Sequence, residues 1–184
     1  MQTIMTDLFS SYVGWVQISP ILSAMIQFAI LGTLGEIISK WIVQKSFRYP
    51  FSLFLTLWKM IVWALLGVAI KYAFKGYIGF VEYLAGHGML PAAVLTDKFW
   101  HAFAISGLMN VQFGLFLVLV HRLLDNLGEG KLNWKDLDKS MLSLLWFWIP
   151  AHTVTFMQAD ELRIGLAALW SVVLGLILGL FNRR

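Results

Sequence analysis

One uncharged apolar segment of the chain, residues 99–120, most restricts what this protein can fold into. Its 22 residues contain no Asp, Glu, Lys or Arg, and about 20 apolar residues are enough for a helix to cross the hydrocarbon core of a bilayer. The whole chain agrees, because 59% of its residues are hydrophobic and only 13% are charged, about half the usual share of roughly 25%. The sequence therefore predicts an all-α membrane protein and excludes a disordered chain or a water-soluble enzyme.

Five apolar segments predict a polytopic bundle of about five transmembrane helices. We expect one transmembrane domain over residues 1–184, with no soluble domain. The predicted helices are about 18–43, 51–75, 99–120, 140–157 and 162–181. Glycines and Pro91 are dense in residues 76–98, so we predict an irregular interfacial connection there.

The basic residues predict an orientation, because loops on the inner side of a membrane usually hold the excess of Lys and Arg. With the N-terminus outside, the inner side holds nine Lys and Arg, the outer side holds four, and Lys59 lies within a helix. We therefore expect the N-terminus outside and the C-terminus inside. No signal or transit peptide is predicted, since the first sixteen residues lack Lys and Arg. We expect a bacterial inner membrane or, failing that, an organelle membrane.

Several classes of ligand are not expected. The net charge of +4 comes from basic residues scattered over loops and helix ends, so we predict membrane lipid and no nucleic acid as a partner. The chain has no Cys, and its four His lack the paired spacing of a metal site. Residues 128–130 read Gly-Glu-Gly without a phosphate-binding loop motif. We expect no metal and no cofactor.

Two charged residues lie inside predicted helices and need partners, because a charge in hydrocarbon costs about 2.5 to 3.5 kcal/mol or more. Glu36 precedes the end of the first helix by about as many residues as Lys59 follows the start of the second. An antiparallel hairpin would place them at one depth, so we predict an ion pair. Two alternatives stay open: Lys40 lies one turn after Glu36 and could satisfy it alone, or each side chain faces neighbouring protein.

Polar residues also mark the third and fourth predicted helices. Asn110 and Gln112 point about 200° apart on an ideal helix, which indicates a helix surrounded by protein. Pro150 removes a backbone N–H near His152 and predicts a kinked polar spot. These side chains either line a solute path or bond across helix interfaces, and the sequence does not distinguish the two.

Small residues recur at every fourth position of the last helix. This ladder consists of Ala167, Ser171, Gly175 and Gly179, and such spacing lets two helix backbones approach closely. Its partner is a helix of the same chain or a second protomer, so a homo-oligomer is one interpretation.

Motifs along most of the chain resemble one membrane protein family. The motif residues are Gly35-Glu36; Gln112-Phe113-Gly114 followed by His121-Arg122-Leu123-Leu124-Asp125; and Trp148, Pro150-Ala151, Phe156, Arg163 and Trp170. This pattern resembles the family of the mitochondrial Mpv-seventeen protein and the twenty-two-kilodalton peroxisomal membrane protein. The chain differs from the family in having Glu36 in place of Asp and Leu115 in place of the usual proline.

The resemblance implies a compact helical membrane protein that forms a channel for small solutes. We accordingly expect a passive or gated pore for small polar or anionic metabolites, bordered by a polar set of five residues. That set is Glu36, Lys59, Asn110, Gln112 and His152. A non-conducting scaffold or assembly protein is the alternative. A membrane enzyme using His101, His121 or His152 is less favoured, because no nucleophile motif accompanies them.

Overall fold

The computed structural model describes residues 2–181 and consists of helices and their connections. Seven helices are present in that part of the chain. They are α1 (Gln2–Ile18), α2 (Pro20–Gln44), α3 (Leu53–Gly86), α4 (Ala93–Thr96), α5 (Lys98–Glu129), α6 (137–156) and α7 (Asp160–Phe181). The prediction of an all-α fold is confirmed. The predicted number of helices, about five, was too low, because α1 and the short α4 were not predicted.

Four of the described helices are long and apolar enough to cross a membrane, namely α2, α3, α5 and α7. This finding indicates an integral membrane protein. The predicted crossing at 140–157 corresponds to α6, which is not one of the four. Its polar residues, among them Ser143, His152, Thr153 and Thr155, lower its hydropathy, and all four are buried in the fold.

The predicted irregular connection over 76–98 is largely wrong, because α3 continues as a helix to Gly86. Its 34 residues span about 51 Å, well beyond the roughly 30 Å of a hydrocarbon core. Gly76 and Gly79 have open space where a side chain would lie, while Val81 and Ala85 are buried. The buried side chains keep this part helical despite the glycines, and only residues 87–92 remain irregular.

Local signals in the sequence explain where the helices begin and end. The Ser52 hydroxyl accepts a hydrogen bond from the Leu55 N–H and caps the start of α3. The Asp97 carboxylate accepts from the Trp100 N–H and caps α5 in the same way. At the other ends, α2 is followed by Lys45 and α5 by Gly130, both in the left-handed conformation that terminates helices.

Five helices, α2, α3, α5, α6 and α7, run antiparallel in succession. Glu36 meets Lys59 between α2 and α3, Lys59 meets Asp125 between α3 and α5, and the later pairs cross in the same sense. We call the end that contains loops 45–52 and 130–136 the proximal end, and the end that contains residues 87–92 and 157–159 the distal end. The buried core between them is apolar and includes Phe28, Ile105 and Ile164.

The small-residue ladder of α7 packs against α2 of the same chain. All four ladder residues are buried. A Cβ added to Gly175 would overlap the Gly35 carbonyl, and one added to Gly179 would press on Ile42 and Ser39. The backbones of α2 and α7 are therefore in direct contact, and the ladder is used within one protomer.

Two helices contain a π-helical turn, at Asn110–Gly114 in α5 and at Leu144–Trp148 in α6. The two turns face each other, because a Cβ on Gly114 would meet the Leu144 side chain at 2.9 Å. The irregularity predicted at Pro150 thus lies mainly in the turn before it. Pro150 itself occupies the first turn of the α-helical part Ile149–Phe156, where its missing N–H is least costly.

Candidate functional site

The predicted pair of Glu36 and Lys59 is present near the proximal end. The Lys59 Nζ lies 2.5 Å from Glu36 Oε2, which confirms that the two helices bring these residues to one depth. Lys40 does not pair with Glu36 in the described structure, as its side chain is exposed on α2. The Lys59 side chain is only 3% exposed, so the ammonium is enclosed by protein and depends on its partners.

Two residues of α5 complete a larger group, which we call the proximal cluster: Glu36, Lys59, His121 and Asp125. Lys59 Nζ also donates to Asp125 Oδ1 at 3.0 Å. The His121 Nε2 lies 3.5 Å from Glu36 Oε1 and 3.5 Å from Asp125 Oδ2. Each carboxylate therefore presents one oxygen to the lysine and the other to the histidine.

Aromatic side chains hold the proximal cluster in place. The Trp63 Nε1 donates to Glu36 Oε1 at 2.7 Å, and the Trp58 Nε1 donates to the Leu124 carbonyl at 2.8 Å. The Phe51 ring covers Lys59, with its centroid 5.2 Å from Nζ. A Cβ on Gly128 would overlap Trp58, so glycine at 128 allows this tryptophan to lie flat against α5.

The charge of the proximal cluster does not cancel while His121 is neutral. Two carboxylates face one ammonium, and binding one proton or another single positive charge would balance them. The facing atoms of Glu36, His121 and Asp125 lie within 4.8 Å of one another and could hold a metal ion. The trio was not predicted, because Glu36 comes from α2 and the other two residues come from α5. Lys59, however, already supplies a cation between the same two carboxylates.

A second polar group lies deeper in the bundle, between α5 and α6. We call Ser106, Asn110 and His152 the central network. The Asn110 Nδ2 lies 3.1 Å from His152 Nδ1 and donates to the Ser106 carbonyl at 2.8 Å. The Ser106 hydroxyl donates to the Ile149 carbonyl at 2.8 Å. All three residues are buried, and this network joins two of the predicted polar residues, Asn110 and His152.

Gln112 is separate from both groups. It lies on an exposed face of α5 and accepts a hydrogen bond from the Tyr77 hydroxyl at 3.3 Å. The opposite directions of Asn110 and Gln112 agree with the helical geometry of the sequence. The prediction of a helix surrounded by protein is wrong, because α5 leaves the face that bears Gln112 exposed.

A third charged group lies at the distal end. We call Lys71, Lys75, Asp160 and Arg163 the distal cluster. The Lys75 Nζ lies 2.8 Å from Asp160 Oδ2, and the Arg163 Nη1 lies 3.3 Å from Asp160 Oδ1. Both lysines lie near the end of the predicted helix 51–75, where long charged side chains can extend towards solvent. Lys75 is exposed, but Lys71 is only 8% exposed and lies well inside α3.

Apolar side chains separate these polar groups. Between Lys59 and Lys71, the buried side chains of α3 are Val62, Leu66 and Ile70. Two clefts lie elsewhere in the described structure and are not lined by the proximal cluster or the central network. One of about 480 Å³ contains Glu82, Asp97 and His101 at the distal tip, and one of about 440 Å³ lies between α3 and α5 beside Tyr77 and Gln112.

Comparison with known proteins gives no assignment. No protein-family model, curated protein or solved structure matches the chain. The functional argument consequently rests on the residues and their geometry.

Proposed function

We propose that this membrane protein is a gated channel for small polar or anionic solutes and that the fold described above is its closed form. The observation that supports this proposal is the presence of two separate groups of largely enclosed polar side chains in one helical bundle, Lys59 with its partners and Asn110 with His152. Polar groups within a membrane are costly and commonly mark solute or ion pathways. Here the apolar layer of Val62, Leu66 and Ile70 closes the interior between them.

The family resemblance supports the same proposal. Several of its motif residues lie in the polar groups, since Glu36, His121 and Asp125 belong to the proximal cluster and Arg163 to the distal one. We propose membership of that family on this basis. We further propose that the helices cross the membrane five times, with the proximal end on the inner side of a bacterial inner membrane or an organelle membrane.

Current through a planar bilayer tests the channel proposal. Purified full-length protein in symmetric potassium chloride should give discrete openings, and a salt gradient should give a reversal potential that favours the anion. Leu66 belongs to the apolar layer that closes the interior. The substitution Leu66→Ser should raise the open probability, because water enters a polar constriction more readily. Gln112→Ala is the control and should leave conductance unchanged, since Gln112 lies outside the bundle interior. Absence of current in wild type and Leu66→Ser alike would refute the proposal.

A non-conducting scaffold is the second candidate, and the close contact of α2 and α7 favours it. Backbone-to-backbone contact at Gly35 and Gly175 makes a rigid pair, which suits an assembly protein better than a moving gate. The bilayer experiment separates the two functions. In the scaffold case, the polar groups stabilise packing and none of the variants conducts.

We propose no enzymatic activity. Three buried hydroxyl groups near His152 donate to backbone carbonyls and not to a base: Ser106 and Thr153 donate to Ile149, and Thr155 donates to Ala151. The proposed partners are membrane lipid and small polar solutes, without nucleic acid. A homo-oligomer would have to use surfaces other than the ladder, which α2 already covers.

A further inference from the structure

Lys71 is a buried cation without a partner of its own. It is 8% exposed, and no hydrogen bond or ion pair joins its ammonium group to any of residues 2–181. Its side chain is largely enclosed, but the ammonium nitrogen is not among the fully buried atoms of the fold. An acceptor from outside these residues can therefore reach it, and a charge so poorly compensated favours such an acceptor.

The nearby carboxylates are already engaged. Asp160 is the main source of negative charge near Lys71, but its Oδ2 binds Lys75 and its Oδ1 binds Arg163. The next carboxylate, Glu161, accepts a hydrogen bond from the Gln17 amide at 2.9 Å. Lys71, Lys75 and Arg163 thus face two carboxylates, Asp160 and Glu161, which leaves one positive charge in excess around Lys71.

Arg163 is held rigidly beside this excess charge. Its Nε donates to the Gln158 carbonyl at 3.1 Å, and its Nη2 donates to the Phe156 carbonyl at 3.4 Å. With the bond to Asp160, three of the five guanidinium N–H groups are used, so two remain for another acceptor. Lys75 likewise has ammonium hydrogens beyond the one that Asp160 accepts.

We propose that Lys71, Lys75 and Arg163 form a binding site for a small oxyanion, namely a phosphate group. Phosphate offers several oxygen acceptors and forms strong charge-assisted hydrogen bonds with Lys and Arg. The group comes either from free phosphate or from a lipid headgroup, since the site lies at the distal end of one membrane-capable helix, α7, beside the middle of another, α3. This inference goes beyond the channel proposal, because binding requires no conduction and is measured without a bilayer.

Thermal unfolding of the full-length protein in nonionic detergent tests the site. A ligand that binds only the folded state raises the unfolding midpoint with its concentration. We expect sodium phosphate to raise the midpoint above that in sodium chloride of equal ionic strength. Lys71→Met should abolish this phosphate response and raise the midpoint without phosphate, because it removes an unpaired buried charge. Lys98→Met is the matched control and should keep the response, as Lys98 is exposed and outside the cluster.

A second variant leaves Lys71 in place. Lys75→Gln frees Asp160 Oδ2, which then becomes available to pair with Lys71, and phosphate should bind at least about tenfold more weakly. Phosphatidylglycerol added to the detergent distinguishes the two sources. A response to this lipid and not to phosphate assigns the site to a headgroup, and a response to phosphate alone assigns it to the free ion. No response to either in wild type, or an unchanged response in Lys71→Met, would overturn the proposal.

Discussion

Lys59 is the residue on which the charge balance of the proximal cluster depends. It bridges carboxylates from α2 and α5 while lying almost completely enclosed. Without it, Glu36 and Asp125 would face each other with only His121 between them. The lysine therefore stabilises three helices at once, and losing it should cost more than losing either acid.

A double-mutant cycle measures this dependence. Lys59→Met should lower the free energy of unfolding in detergent by about 3 to 5 kcal/mol, because it strands buried carboxylates. Glu36→Gln should cost less, since Asp125 still binds Lys59. In the double variant, part of the loss should be recovered, which gives a coupling energy between the two sites. Strictly additive losses would contradict a direct interaction.

The central network gives a second prediction at this scale. Asn110→Ala should lower the free energy of unfolding by about 1 to 3 kcal/mol, because His152 and the Ser106 carbonyl lose a buried donor. Gln112→Ala, two residues away but exposed, should change it by less than about 0.5 kcal/mol. Equal effects of the two substitutions would mean that the Asn110 bonds contribute nothing measurable.

The sequence predicted some of the residues in these polar groups and missed others. Glu36 and Lys59 were predictable as a pair because depth along two adjacent helices follows from residue count alone. His121 and Asp125 were missed as their partners, although their spacing of four residues on α5 was a usable signal. Lys71 is largely enclosed by other helices of the fold, which residue spacing within α3 cannot reveal.

Among the elements, the contact between α2 and α7 is the closest approach of two backbones. Gly175 and Gly35 touch through their main chains, so even a methyl group has no room there. Gly76 in α3 is the opposite case, because a Cβ there would meet nothing within 4 Å. The two glycines thus serve different purposes in helices of similar composition.

Alanine substitutions at Gly175 and Gly76 distinguish a glycine in close backbone contact from a glycine with open space beside it. Gly175→Ala should lower the midpoint of thermal unfolding in detergent because its methyl group forces the two helices apart. Gly76→Ala should raise it slightly, since alanine favours a helix interior over glycine by about 1 kcal/mol. The bulkier Gly175→Leu should be worse than Leu176→Ala on the exposed side of α7. If Gly175→Ala were as harmless as Gly76→Ala, the helices would not be in close contact.

Element boundaries show where sequence patterns are informative. The first predicted helix begins at residue 18, two residues before α2 begins at Pro20, and its predicted end is one residue short of Gln44. The extension of α3 beyond residue 75 was missed, because glycine density was interpreted as a break although Val81 and Ala85 continued a buried face. The π turns in α5 and α6 arise from contacts between two helices, so neither sequence alone contains their signal.

At the scale of the whole molecule, the alternating direction of successive helices and the position of the basic loops predict one orientation of the protein in the membrane. The proximal loops carry Lys45, Arg48, Lys131 and Lys135, and loops of this kind usually stay on the inner side. Two further basic residues of the predicted inner side, Arg183 and Arg184, lie outside the described residues. The orientation remains a prediction that labelling can decide.

Single cysteines make that measurement direct, because the chain has none of its own. In intact cells or sealed vesicles, Ser46→Cys and Lys131→Cys should react with an impermeant thiol reagent only from the inner side. Met89→Cys should react only from the outer side. All three positions are exposed in the fold. Labelling of positions 46 and 131 from opposite sides would rule out the antiparallel course of α3 and α5 across the membrane.

The contact between α2 and α7 also has a consequence for how the chain is synthesised. These two helices come from opposite ends of the sequence, so the glycine face of α2 enters the membrane long before its partner exists. The Glu36 and Lys59 pair needs only the next helix, and a nascent hairpin of α2 and α3 can therefore neutralise its charges early. The contact with α2 must wait until α7 has left the ribosome, and loss of α7 would leave the preceding bundle open along one side.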